Sequence, residues 1–145
     1  MTAEELIAQL ELTPHSEGGF YCRTWTVPEP GGDLATNIYV LFQRGDITTW
    51  HRKTSATLWH HYMGGPLVIS QAPSRHGPRR DDVLGTDFAA GERPQLPMQP
   101  NVWQRTECLG EFTLAGVTVA PGFQWQDFVL APPGFDIPKM KTRPE

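Results

Sequence analysis

The chain has 145 residues, of which 39 % are hydrophobic and 19 % charged, which suits one domain with a buried core and excludes an extended disordered chain. Its formal net charge of −4 gives no broad attraction to phosphate backbones or anionic lipid, so nucleic acid and membrane are not expected partners. No run approaches the ~20 apolar residues that span a bilayer, and the acidic start lacks the basic head and apolar stretch of a signal peptide.

The first predicted element is a helix over residues 2–12. Thr2 offers a cap with Glu5 three residues on, Leu6, Ile7 and Leu10 share a face, and Pro14 ends it. The helical period then disappears. Strand-like runs follow at 19–27, 36–43, 48–53, 56–63, 66–71, 101–108, 111–119 and 125–130, most of them rich in Thr, Val, Ile, Tyr and Trp. Turns or loops are expected at 28–33, 64–65, 73–82, 109–110 and 120–122, with 74–82 the most polar interior stretch. The Pro-rich tail 132–145 is expected to pack poorly unless it docks on a partner. No repeat or linker divides residues 1–145, so they read as one domain of about eight short strands, a jelly roll or barrel. Cys22 and Cys108 have no metal-knuckle spacing and read as free thiols of a cytoplasmic protein.

Three clusters can carry chemistry. His15-Ser16-Glu17-Gly18-Gly19 follows the helix, and its paired glycines permit a turn that His15 and Glu17 can fix by hydrogen bonds. His51-Arg52-Lys53 precedes Trp59-His60-His61-Tyr62. Residues of equal parity share a strand face, so His51 and Lys53 point together while His60 and His61 oppose each other. Only one of that adjacent pair can face a barrel interior. From Phe123 to Phe128 the chain alternates, with Phe123 and Trp125 on one side and Gln124 and Gln126 on the other. That is the pattern of a half-buried strand whose aromatic side is core or pocket wall.

These segments, with Thr36-Asn37-Ile38-Tyr39, Val102-Trp103-Gln104 and Val119-Ala120-Pro121-Gly122-Phe123, resemble in their order the uncharacterised cupin family 5, DUF985. The resemblance implies an all-β, RmlC-like jelly-roll β-barrel with a short N-terminal helix, a homodimer, and a pocket inside the barrel. It does not settle an activity, because epimerases, isomerases, lyases, dioxygenases and plain binding proteins share this fold.

Measured against the general cupin metal motif, the spacing survives as Gly45, His51, Lys53, Thr57 and Gly64, but the ligands do not. Lys53 stands at the second His, Thr57 at the Glu and Gln104 at the third His. One imidazole, an ammonium, a hydroxyl and an amide make a poor transition-metal site. No metal and no organic cofactor is therefore expected, and nucleophile-elbow, phosphate-loop and dinucleotide motifs are absent from the sequence. Arg23, Gln124 and Gln126 stand where the family tends to carry Glu, and Arg105 where it usually has Ala. These changes are expected to make the pocket less acidic and to suit a small molecule bearing carboxylate or phosphate; the alternative is that Arg23 and Arg105 lie on the outer face and pair with surface acids.

The expected acid/base residues are His51 and Tyr62, with Glu17 orienting a histidine or acting as base itself. Arg23, Lys53, Thr57, Trp59, His60, Trp103, Gln104, Phe123 and Gln124 are the expected substrate contacts, Lys53 or Arg23 stabilising a developing enolate. The resulting expectation is metal-independent isomerisation, epimerisation, elimination or cyclisation of a carbonyl compound; the alternative is a non-catalytic small-molecule binder. Convergence of His51 and Tyr62 on a cavity favours catalysis. An interior filled by Trp50, Trp59, Trp103 and Phe123 favours binding or stability alone. The basic stretch 75–80, followed by Asp81-Asp82, reads as a solvated loop.

Overall fold

Burial along the strands largely follows a period of two, and this alternation sorts the side chains into layers. A computed structural model describes residues 1–139. Its first element is α1 (Ala3–Gln9), capped by Thr2, whose hydroxyl accepts from Glu5 N at 3.1 Å. The helix closes earlier than the sequence suggests because Glu11 takes a positive φ of 55°, and Leu12 N then bonds back to Ile7 O.

The strands are β1 (Thr13–Pro14), β2 (Phe20–Val27), β3 (Ala35–Gln43), β4 (His51–Lys53), β5 (Ala56–Gly64), β6 (Leu67–Ala72), β7 (Arg80–Leu84), β8 (Gln95–Met98), β9 (Trp103–Cys108), β10 (Phe112–Ala120) and β11 (Phe128–Leu130). They form two antiparallel sheets, a larger one in the order β1-β2-β3-β10-β5-β8 and a smaller one in the order β11-β4-β9-β6-β7. The two sheets make an all-β jelly-roll barrel with a short N-terminal helix.

Three apolar clusters hold this arrangement. Val40, Phe42, Trp59, Ile69, Leu84 and Val117 belong to the one between the sheets. Leu41, on the opposite face of β3 from Val40 and Phe42, packs beneath α1 with Ala3, Leu6, Leu12 and Leu114. Each fully buried aliphatic side chain is worth about 1.5–3 kcal/mol of transfer free energy, so the helix is fixed by this contact rather than by its seven-residue length. The third cluster covers the outer face of the smaller sheet, where Trp50, Ala72 and Trp103 meet Ala131 and Ile137.

That third cluster corrects the expectation of a loosely packed tail. Ile137 is only 2 % exposed, Phe135 lies 4.8 Å from the Trp103 ring, and Ala131 N bonds to Trp50 O. The tail is its own barrel's cover as far as residue 139; the rest of it lies outside the described residues. Three strands escape the sequence pattern altogether: β1, β7 and β8. The last two are edge strands, and β7 has the charged sequence Arg80-Asp81-Asp82 where a loop was expected. Conversely, the run 48–53 is paired as a strand only over His51–Lys53, and residues 125–127 form a 3-10 turn before β11.

Candidate functional site

A cavity of about 130 Å³ lies inside the barrel between the two sheets. Its apolar walls include Ile38, Val40, Phe42, Trp59, Val117, Phe123 and Phe128. Its chemistry comes from three segments. Strand β4 contributes His51 and Lys53, strand β2 contributes Tyr21 and Arg23, and the turn after the helix contributes His15 and Glu17.

Local sequence accounts for each placement. His51 and Lys53 are two residues apart on one strand and share its inner face. Tyr21 and Arg23 pair with Val40 and Ile38 across β2 and β3, which puts all four on the cavity side. The His15 turn closes through His15 N to Gly19 O at 2.9 Å and Gly18 N to His15 O at 3.1 Å. Gly19 has a φ of +74°, and a β-carbon there would meet the Phe42 ring and the Leu41 carbonyl. Only glycine allows both the torsion and that approach. The motif is thus a tight turn, and the same turn carries His15 and Glu17 to the cavity wall.

The two imidazoles are held in complementary tautomers. His51 Nδ1 lies 2.8 Å from the Thr49 carbonyl, which can only accept, so Nδ1 carries the proton and Nε2 keeps its lone pair. His15 Nδ1 accepts from Glu17 N at 2.9 Å, so its neutral form carries the proton on Nε2. Burial, and next the charge of Lys53, push the His51 pKa down to about 4. The same two causes lower that of His15. Both rings are neutral at neutral pH. His51 also stacks on Phe128, with centroids 5.1 Å apart.

Lys53 is the unusual group. Burial pushes its pKa down to about 8, so it remains mostly an ammonium at neutral pH. Among the described residues neither Lys53 nor Arg23 forms an ion pair with a carboxylate. Glu17, the acid on the wall, accepts a hydrogen bond from the Ser16 hydroxyl at 3.2 Å. The cavity therefore carries two cations against one carboxylate, in walls that are mostly apolar.

Of the residues singled out from the sequence, the structure gathers His51, Glu17, Arg23, Lys53, Trp59 and Phe123 around this cavity. It separates the others from it. Trp59 faces inward on β5, so residues of the opposite parity face outward. Tyr62 is 50 % exposed on the outer face of the larger sheet, where its ring stacks on His60 at 6.2 Å and sits over Gly116. His60 Nε2 pairs with the Thr118 hydroxyl at 3.0 Å. His51 and Tyr62 thus do not converge. His61, of Trp59's parity, is tied by Nε2 to Gly65 O at 3.0 Å and does not line the cavity.

Thr57 and Gln104 are buried but outside the cavity lining, and Thr57 Oγ1 and Gln104 Oε1 have no hydrogen-bond partner among the described residues. Gln104 faces His51 across the β4–β9 pairing. Trp103 lies beneath Phe135 with the Arg52 guanidinium 5.2 Å from its ring centroid. Gln124 accepts from Gln126 Nε2 at 2.6 Å and is also not on the wall. Arg105 sits 5.4 Å from the Trp50 ring near Asp136, away from the cavity. Tyr21 and Phe128 are wall residues that the sequence reading did not select. The shared parity of Tyr21 and Arg23 was the available signal for the first.

The four positions matching cupin metal ligands, His51, Lys53, Thr57 and Gln104, do not fit a divalent metal. Only His51 and Lys53 reach the cavity, and an ammonium repels a cation. Among the described residues no group of three or more His, Cys, Asp or Glu gathers to hold a metal ion.

Comparison with known proteins agrees with the architecture. The sequence profile of the Cupin superfamily (DUF985) matches residues 4–131. A crystal structure of a Shewanella oneidensis protein is 34 % identical with a TM-score of 0.83, covering 90 % of this chain and 85 % of that one. A hypothetical protein from Leishmania major is 25 % identical with a TM-score of 0.79, covering 88 % and 86 %. Oxalate decarboxylase from Bacillus subtilis is similar in fold only, at 16 % identity and a TM-score of 0.63, with 81 % of this chain matching 29 % of that one. No curated protein matches the chain. With nearly the whole barrel matched, the chain belongs to the DUF985 family of the cupin superfamily.

Proposed function

We propose that this cupin binds a small anionic carbonyl compound inside its barrel without a metal, and moves a proton on it with His51 as the base. One observation carries the reading: Lys53 and Arg23 line an apolar-walled cavity with no ion pair of their own among the described residues. A buried cation without a counter-charge costs several kcal/mol, a cost that an anionic ligand relieves. In this reading exposed Arg23 takes the carboxylate at the rim. Lys53 faces the carbonyl oxygen, where positive charge stabilises a developing enolate. His51 Nε2, oriented by the Thr49 carbonyl, takes the proton from the adjacent carbon.

The outward turn of Tyr62 favours a second reading, a non-catalytic binder of the same ligand class. One experiment separates the two. Calorimetry with pyruvate and its methyl ester tests binding, and hydrogen–deuterium exchange at the pyruvate methyl group, followed by NMR in chelator-treated buffer, tests chemistry. We expect the acid to bind at least ~10-fold more tightly than the ester, and exchange to occur and to be lost in H51Q. Equal affinity for acid and ester overturns both readings. Binding without exchange leaves the non-catalytic one.

The protein is further proposed to act in the cytoplasm as a homodimer. Its free thiols, Cys22 and Cys108, support the first. Trp25 and Tyr62, 53 % and 50 % exposed on the larger sheet, support the second. No helix among the described residues is long and apolar enough to cross a membrane.

A further inference from the structure

We infer that Lys53 is a covalent catalyst: its side-chain amine condenses with the carbonyl carbon of a small 2-oxo acid in the barrel cavity. The inference rests on the reading of the cavity as a site for an anionic carbonyl compound, and it deepens that reading by naming the bond formed.

Four features of the site carry it. Lys53 lines a cavity whose other walls are largely Ile, Val, Phe and Trp side chains, so its nitrogen is poorly solvated. No ion pair or side-chain hydrogen bond engages it among the described residues; a lysine kept for stability would have found a carboxylate, as Lys139 does with Asp81 at 3.0 Å. His51 stands two residues away on the same strand face with its Nε2 lone pair set by the Thr49 carbonyl. Arg23, also on the wall, leaves a second cation to hold a carboxylate while Lys53 reacts. A lysine desolvated in an apolar pocket is a known way to make a neutral amine nucleophile, and burial lowers the pKa of Lys53 in agreement with it.

The step balances without a further reactant. The ammonium first loses one proton to solvent. The amine nitrogen then adds to the carbonyl carbon as the C=O π pair moves to oxygen. His51 Nε2 carries a proton from the nitrogen to that oxygen, giving a carbinolamine. A second proton, equal to the one first lost, lets the hydroxyl leave as water, and a cationic iminium remains. Ammonium plus carbonyl thus gives iminium plus water, and the Lys53 nitrogen carries one positive charge before and after. The iminium also resolves a mismatch in the plain enolate route. His51, with its pKa pushed down to about 4, is a weak base, and an iminium makes the neighbouring C–H far more acidic than a ketone does.

The test uses the full wild-type chain with glyoxylate, pyruvate and 2-oxobutyrate, each with sodium cyanoborohydride, followed by intact mass and peptide mapping. The chain has three lysines, Lys53, Lys139 and Lys141, so the latter two and the amino terminus are internal controls. The expected result is a single reduced adduct at Lys53 for at least one acid, suppressed by a non-carbonyl competitor such as lactate. K53R keeps the charge but cannot form the adduct; it is expected to retain binding within several-fold and to lose deuterium exchange at the adjacent carbon. Three outcomes overturn the proposal. One is labelling of Lys139, Lys141 or the terminus in preference to Lys53. Another is no adduct from an acid that calorimetry shows to bind, which leaves Lys53 as a charge only. The third is wild-type exchange in a K53R chain. If none of the three acids binds, the ligand reading itself falls, and the imine with it.

Discussion

Two groups of cations lie on opposite sides of the smaller sheet, and the chain treats them differently. On the outside, Arg79 meets Asp81 at 2.8 Å, Lys139 meets the same carboxylate at 3.0 Å, and Arg105 approaches Asp136 at 3.9 Å. Arg79 and Arg105 also lie 5.7 Å and 5.4 Å from the Trp50 ring, and Asp136 accepts the Trp50 indole proton at 2.9 Å. Burial raises the Asp81 carboxyl, but hydrogen bonds from Arg79, Ser70 and Lys139 override it and bring its pKa down to about 2. Facing the cavity, Lys53 and, at its exposed rim, Arg23 have no such partners among the described residues. The fold gives Arg79, Lys139 and Arg105 carboxylate partners and, among the described residues, gives Lys53 and Arg23 none; under the proposed function the difference separates stability on one face from ligand binding on the other.

The strongest challenge to that contrast is removal of the inner charge. K53M is expected to weaken binding of a small 2-oxo acid by ~100-fold, since breaking one partner of a buried charge pair costs about 2–5 kcal/mol. The ligand-free protein should become more stable by about 1–3 kcal/mol in urea unfolding, because a poorly solvated ammonium is replaced by an apolar chain of similar length. Unchanged affinity would end the distinction between the two groups.

Acid pH tests the neighbouring imidazole. The unfolded chain protonates His51 near its ordinary value of 6.5, whereas the folded chain resists until about 4. Falling pH through that window therefore favours unfolding, by about 3 kcal/mol at most. Lys53 has the same sign at the other end: stability rises with pH between about 8 and its ordinary 10.5. H51Q should flatten the acid limb of a stability–pH curve and leave the alkaline limb in place.

The outer group should answer in stability alone. D81N is expected to cost about 2 kcal/mol near neutral pH, with ligand affinity unchanged within twofold. The wild-type contribution of Asp81 is present above its ordinary value of 3.8 and disappears as pH falls through about 2. The smallest effect is expected for Y62F, which should leave binding and deuterium exchange within twofold of wild type. A large loss there would return Tyr62 to the chemistry.

Much of this contrast was legible before the fold was known. Parity alone put His51 and Lys53 on one face, and the loss of carboxylates at Arg23 and Thr57, with a lysine at position 53, already suggested a less acidic interior. What parity could not say is which face of β5 looks inward, because Trp59 and Tyr62 are both aromatic and alternation there gives no polarity signal. The pairing of β5 with β10 also slips at Leu114/Ala115, leaving Tyr62 without a register partner. The tail was misread for a related reason. Its Pro and Gly content signals irregular backbone, and irregular backbone still packs when single apolar residues such as Phe135 and Ile137 find an aromatic shelf. The strand β7 was hidden because an edge strand needs only one hydrogen-bonded neighbour and tolerates charge.

The hydrogen bond from His51 to Thr49 has one further consequence. Many enzymic histidines take their orientation from a distant carboxylate, so that any change in the surrounding walls disturbs the base. Here the reference is the backbone two residues upstream. The imidazole travels with its strand as a self-contained unit, which leaves the opposite walls, Ile38, Val117 and Phe123, free to be recut for other ligands while the proposed base stays in register.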